Sequence, residues 1–138
     1  MNKINIKPLS VNQCWRGKRY KTPEYKAYER EMLFRLPALK LPDSDRLALH
    51  IIVGYSNKQA DIDNVSKALI DILQKKYRFN DNKIYRLLLE KVITTKGEEF
   101  ISFKFSEMSD YLFWNVWWNE NYFVCLYRKG INNPYNLD

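Results

Sequence analysis

Residues 46–55, RLALHIIVGY, then SNKQA at 56–60 and DIDNVSKALIDILQKK at 61–76, decide the fold. The first run is apolar, rich in branched side chains and partly alternating, which predicts a strand largely buried in a sheet. The polar five residues after it read as a loop. In the third run Val65, Ala68, Leu69, Ile72 and Leu73 recur at spacings of three and four, the pattern of a helix with one buried face. Beside that face Asn64, Lys67 and Asp71 share a polar stripe.

Working outward, Thr22-Pro23-Glu24 supplies an N-cap and a first-turn proline for a helix over 23–36, ended by Pro37 and Pro42. Residues 3–8 read as a short strand running into a polar, basic loop. Beyond Asn80-Asp81-Asn82, the segments 84–93 and 98–106 read as strands, and Thr95–Gly97 predicts that they form an antiparallel hairpin. The expected fold is α+β: a mixed sheet of about four strands, near 3–8, 46–55, 84–93 and 98–106, with the 23–36 and 62–76 helices packed on it.

The expected organisation is one domain over 1–106 and an extension over 107–138 to which no role is assigned. That extension holds nine of the 21 aromatic residues and fits either a helix closed by Arg128, Lys129 and Gly130 or two strands turning at Asn119–Asn121. Its local charge is negative, two basic against four acidic residues, which favours packing or subunit contacts over a base-stacking platform.

The 138 residues carry 23 Lys and Arg against 16 Asp and Glu, a net charge of +7 that attracts polyanions. Ten basic and only three acidic side chains fall in residues 1–40, so the positive face is mainly N-terminal. There Arg16, Lys18, Arg19 and Lys21 are interleaved with Trp15 and Tyr20, a combination suited to phosphates and exposed bases, or else a solvated basic loop. Two cysteines, Cys14 and Cys125, lie far apart without zinc spacing, and the chain starts without an apolar leader. No stretch has the length and apolarity to span a bilayer, so a soluble cytoplasmic protein without membrane partners is expected. Four glycines form no phosphate-binding loop. His50, inside an apolar strand, is assigned no function.

Asp61 and Asp63 open the 61–76 pattern, where helix capping explains one carboxylate. A second carboxylate two positions away adds repulsion unless a cation is bound, and Mg²⁺ takes hard oxygen ligands for phosphodiester hydrolysis. Asp81, in the polar turn before residue 84, is the best third ligand. Lys67 can stabilise charge developing on a phosphate, or pair with Asp63 or Asp71 at i, i+4. Spacing alone leaves both readings open.

The string DIDNVSKALIDIL at 61–73, followed by NDNKI at 80–84, with PLSVN at 8–12 and YKTPEYKAY at 20–28, resembles the RusA family of Holliday-junction resolvases. The resemblance implies a homodimeric endodeoxyribonuclease of the crossover-junction type, acting in recombination and repair. It implies paired nicks in four-way DNA junctions with Mg²⁺, Mn²⁺ being a possible substitute, in a bacterial cell or a phage-infected host. Asp61, Asp63 and Asp81 match the family's catalytic, metal-binding carboxylates and Lys67 its functional lysine. Asn64 and Asp71 fall on supporting positions of the same motif. Asn80 departs from a pair of adjacent aspartates frequent in the family, which keeps a non-cleaving branched-DNA-binding protein in view. A nuclease acting on forks or flaps is the further alternative.

Overall fold

A computed structural model of the chain describes residues 1–17 and 20–108. The expected 107–138 extension therefore lies almost wholly outside the described residues. The elements are β1 (Asn2–Ile4), β2 (Trp15–Arg16), β3 (Tyr20–Lys21), α1 (Pro23–Arg35), β4 (Leu47–Tyr55), α2 (Ser66–Tyr77), β5 (Ile84–Ile93) and β6 (Phe100–Glu107). Short 3-10 turns stand at Val11–Gln13 and Asp81–Lys83. The fold is α+β, with a mixed four-stranded sheet in the order β1-β6-β4-β5.

β4 lies centrally because its sequence is apolar on both faces. Leu49, Ile51, Val53 and Tyr55 point into one core with Tyr25, Tyr28 and Met32 of α1, Leu69, Ile72 and Leu73 of α2, and Ile101 and Phe103 of β6. Burying such side chains contributes roughly 1.5–3 kcal/mol each, which is what holds both helices to this face. On the opposite face His50 pairs with Glu90 of β5.

The expected hairpin of 84–93 with 98–106 does not form. β5 runs parallel to β4, with Ile51 opposite Leu89, while β6 pairs antiparallel on its other side, with Ile51 opposite Phe103. Two strands that flank a third stand roughly 10 Å apart, too far for a tight turn. Residues 94–99 instead arch over the end of β4, where the Thr94 N–H donates to the Tyr55 carbonyl at 2.8 Å. Gly54 makes the arch possible, since a Cβ there would stand 2.5 Å from the Phe100 ring. The parallel β4–β5 pairing needs a long crossover, and 56–83 with α2 supplies it.

Two boundaries differ most from expectation. β1 ends at Ile4, and the Asn5 carbonyl accepts from the Arg35 guanidinium instead of a strand. α1 begins as read, the Thr22 hydroxyl accepting from the Tyr25 N–H at 3.1 Å with proline in the first turn. α2 begins only at Ser66, because the preceding carbonyls are used elsewhere. Asp61 O accepts from the Tyr55 hydroxyl at 3.2 Å, Asp63 O from the Ser66 hydroxyl at 2.8 Å, and Asn64 O from the Val11 N–H at 2.7 Å.

Candidate active site

The β4–α2–β5 crossover carries every candidate carboxylate. Asp61 and Asp63 lie in the turns between β4 and α2, both exposed. The residue before α2 is Val65, which makes no side-chain cap, so neither aspartate serves as the helix cap. Asp61 Oδ2 accepts from the Asn64 amide at 3.2 Å. Among the described residues the Asp63 and Asp81 carboxylates make no hydrogen bond or ion pair.

Tyr55, at the end of β4, stands against this turn. Burial and then the negative charges of Asp63 and Asp61 push its hydroxyl up to about 12. It remains a neutral donor at ordinary pH, fixing the turn through the Asp61 carbonyl. Sequence reading passed over it as the last residue of an apolar strand.

The second part of the site lies along α2. Lys67 donates to Asp71 Oδ1 at 3.0 Å, the i, i+4 pair rather than a contact with Asp63. This hydrogen bond and the Asp71 charge, with a smaller contribution from Asp81, raise the lysine above its ordinary value despite some desolvation. Lys67 is consequently a fixed cation, suited to phosphate charge and unsuited to accepting a proton. Asp81 opens the 3-10 turn before β5, and its N–H donates to the Gln74 side chain at 3.0 Å. The turn thus returns to the far half of α2 rather than to its start, and Gln74 had no place in the sequence reading. The available signal was its spacing, since 67, 71 and 74 share one helical face.

Asn80 has a structural task. Its side chain caps the turn, accepting from the Asn82 N–H at 3.0 Å. An aspartate could do the same, so the amide here costs the turn nothing.

Arg16 is exposed on β2, whereas Lys18 and Arg19 lie outside the described residues. Lys21 is not a free cation: it binds Glu29 at 2.7 Å and lies 5.1 Å from the Tyr25 ring. Trp15 and Tyr20 expose 39% and 76% of their surface, leaving aromatic faces beside the basic residues. Thr22 N–H bonds to the Cys14 carbonyl at 2.9 Å, and the Asp71 charge reaches both the Cys14 thiol and the Tyr25 hydroxyl, reinforcing the rise that burial causes. The basic β2–β3 hairpin, with Trp15 opposite Lys21 and Arg16 opposite Tyr20, thus stands within electrostatic reach of the Lys67–Asp71 pair.

Glu29 is the fastening, holding Lys21 at 2.7 Å and Lys75 of α2 at 2.5 Å. Burial alone would raise its carboxyl, but the two lysines overcome this and hold it below its ordinary 4.5. A depressed carboxylate stabilises the fold above its unfolded value and loses that contribution as pH falls through its folded value. Glu29→Gln should accordingly lower the urea midpoint at pH 7, with the gap to the unaltered protein closing below about pH 4.5. A gap that stays constant into acid would refute the linkage.

No group of three or more His, Cys, Asp or Glu among the described residues forms a ready-made metal cage. Mg²⁺ does not require one, because it keeps several waters and binds through one or two carboxylates together with substrate phosphates. Asp61 and Asp63 in the turns before α2, and Asp81 in the turn after it, are exposed hard oxygen donors with the chemistry for that mode. A family model described as Endodeoxyribonuclease RusA matches residues 7–102. The chain belongs to the RusA family. No curated protein matches it. The RusA match spans the basic hairpin, both helices and all the candidate carboxylates, and it ends within β6. Among the described residues of this RusA-family chain, no helix is long and apolar enough to cross a membrane.

Proposed function

We propose that the protein is a Mg²⁺-dependent, structure-selective endodeoxyribonuclease that resolves four-way DNA junctions by paired nicks. The observation that carries this reading is the crossover itself. In a RusA-family chain it sets the exposed carboxylates Asp63 and Asp81, which have no cationic partner among the described residues, before and after a helix bearing a fixed cation. Asp61, Asp63 and Asp81 would hold the ion. When bound, Mg²⁺ would polarise the phosphodiester and make water a better nucleophile at neutral pH.

The chain's own residues do the rest. Lys67, kept protonated by Asp71, offsets charge building on the phosphate oxygens. Arg16, with Lys18 and Arg19, would hold the backbone, while Trp15 and Tyr20 offer stacking faces to bases unpaired at a branch. A homodimer would place two such sites about a two-fold axis, matching the approximate symmetry of opposed strands in a junction.

Labelled four-way, forked and linear DNA, each incubated with Mg²⁺, Mn²⁺ or EDTA, tests the reading. Symmetric nicks confined to the four-way junction and abolished by EDTA are expected. Junction binding without cleavage in either metal would sink the enzyme reading, and preferential cutting of forks would reassign the substrate.

Lys67→Met should lower kcat by about 10- to 100-fold with little change in junction affinity. That is less than the 10²–10³ of buried oxyanion donors, because this lysine is largely exposed. A loss seen only in affinity would make Lys67 a phosphate-holding residue.

A further inference from the structure

We infer that Gln74 is the positioning residue that sets where Asp81 stands relative to Lys67 and Asp71. The inference rests on the metal-binding reading of Asp81. Lys67, Asp71 and Gln74 follow one another at i, i+4 and i+7 along α2, and their side chains form one continuous hydrogen-bonded line. Lys67 Nζ donates to Asp71 Oδ1 at 3.0 Å, and Gln74 Nε2 donates to the same oxygen at 3.4 Å. Gln74 Oε1 then accepts from the Asp81 N–H at 3.0 Å.

The two ends of the amide are used in opposite senses, which fixes its orientation. A flipped amide would turn its carbonyl oxygen towards a carboxylate and its NH₂ towards an N–H, losing both bonds at once. Only glutamine among the amides and carboxylates of this length offers both a donor to Asp71 and an acceptor to Asp81. Glutamate lacks the donor.

Among the described residues this is the only hydrogen bond from α2 to the Asp81–Lys83 turn. On its other side the turn is linked at Lys83 to exposed Asp45, a looser 3.6 Å pair. The Asp81 N–H is solvent-accessible enough to bond water once Gln74 is removed, so the change costs the fold little. What is lost is registry: the backbone from which the Asp81 carboxylate projects is no longer held to the helix that carries Lys67. Outer partners that orient metal ligands typically matter by about 10- to 100-fold in metal affinity or activity.

The test compares full-length protein with its Gln74→Ala and Gln74→Met variants, methionine keeping the side chain's bulk. In ¹H–¹⁵N spectra, sub-stoichiometric Mn²⁺ should broaden the amides of Asp61, Asp63 and Asp81 in the unaltered protein. In both variants Asp81 should escape broadening at the same Mn²⁺ concentration while Asp61 and Asp63 stay affected. The Mg²⁺ concentration for half-maximal junction cleavage should rise about 10-fold or more, with melting temperature and junction affinity in EDTA unchanged. Unchanged broadening at Asp81 with unchanged Mg²⁺ dependence would overturn the role of Gln74 and leave the nuclease reading standing. Absence of broadening at all three aspartates in the unaltered protein would instead overturn the metal-site reading, and this inference with it.

Discussion

Asp63→Asn should reduce cleavage of a four-way junction by at least about 1000-fold while junction binding persists. Outer partners of metal ligands already matter by about 10- to 100-fold, and a direct ligand should exceed them. The fold has no stake in this side chain: Asp63 is exposed, caps no helix, and its carboxylate has no hydrogen bond or ion pair among the described residues. Removing negative charge near the DNA path should leave phosphate contacts as strong as before or stronger. Asp61→Asn and Asp81→Asn should behave alike. Cleavage and binding assays on the same preparations, with circular dichroism as the folding control, decide the matter. A variant that cuts at the unaltered rate would remove Asp63 from the metal site.

The largest effect on stability is expected at Phe103. It is fully buried on β6, opposite Ile51 of β4, and its ring meets Tyr77 at 6.3 Å and Phe105 at 6.0 Å. Truncation removes the apolar contact and leaves a cavity between sheet and α2, a change that costs about 3–5 kcal/mol in packed cores. For a domain of about 100 residues, Phe103→Ala should lower the thermal midpoint by roughly 15–30 °C. Thermal unfolding followed by circular dichroism measures it, and a shift of only a few degrees would mean that the core closes over the gap.

Where the chain repeats a pattern, its sequence was legible. Thr22 and Pro23 started α1 as read, and the apolar spacing of Val65 to Leu73 identified the buried face of α2. The local signals of 84–93 and 98–106 point to a hairpin, whereas each strand pairs with β4 instead. Neither segment records that the much earlier β4, apolar on both faces, needs a neighbour on each side. Gly54 was the local trace of the arch, but its meaning depends on the Phe100 ring.

The start of α2 was misplaced for a related reason. Tertiary partners, Tyr55 and Val11, occupy carbonyls that a helix would otherwise use. Within the candidate site, motif spacing singles out Asp61, Asp63, Lys67 and Asp81, but it carries no sign that Lys21 is committed to Glu29 or that Gln74 bonds the Asp81 turn. Such pairings span separate elements and leave no periodic signature.

Both neighbours of β4, β5 and β6, are encoded after it. A nascent chain that has released β4 and α2 therefore owns Asp61, Asp63, Lys67 and Gln74 but not yet Asp81, nor the strand β5 that follows its turn. Closing the crossover is a long-range event, and the sheet around β4 completes only after it. Immature or partly unfolded copies carry the same acidic residues in no fixed relation, so hydrolytic competence should arrive with cooperative folding and vanish with it. Strand order thereby ties assembly of the candidate site to completion of the sheet.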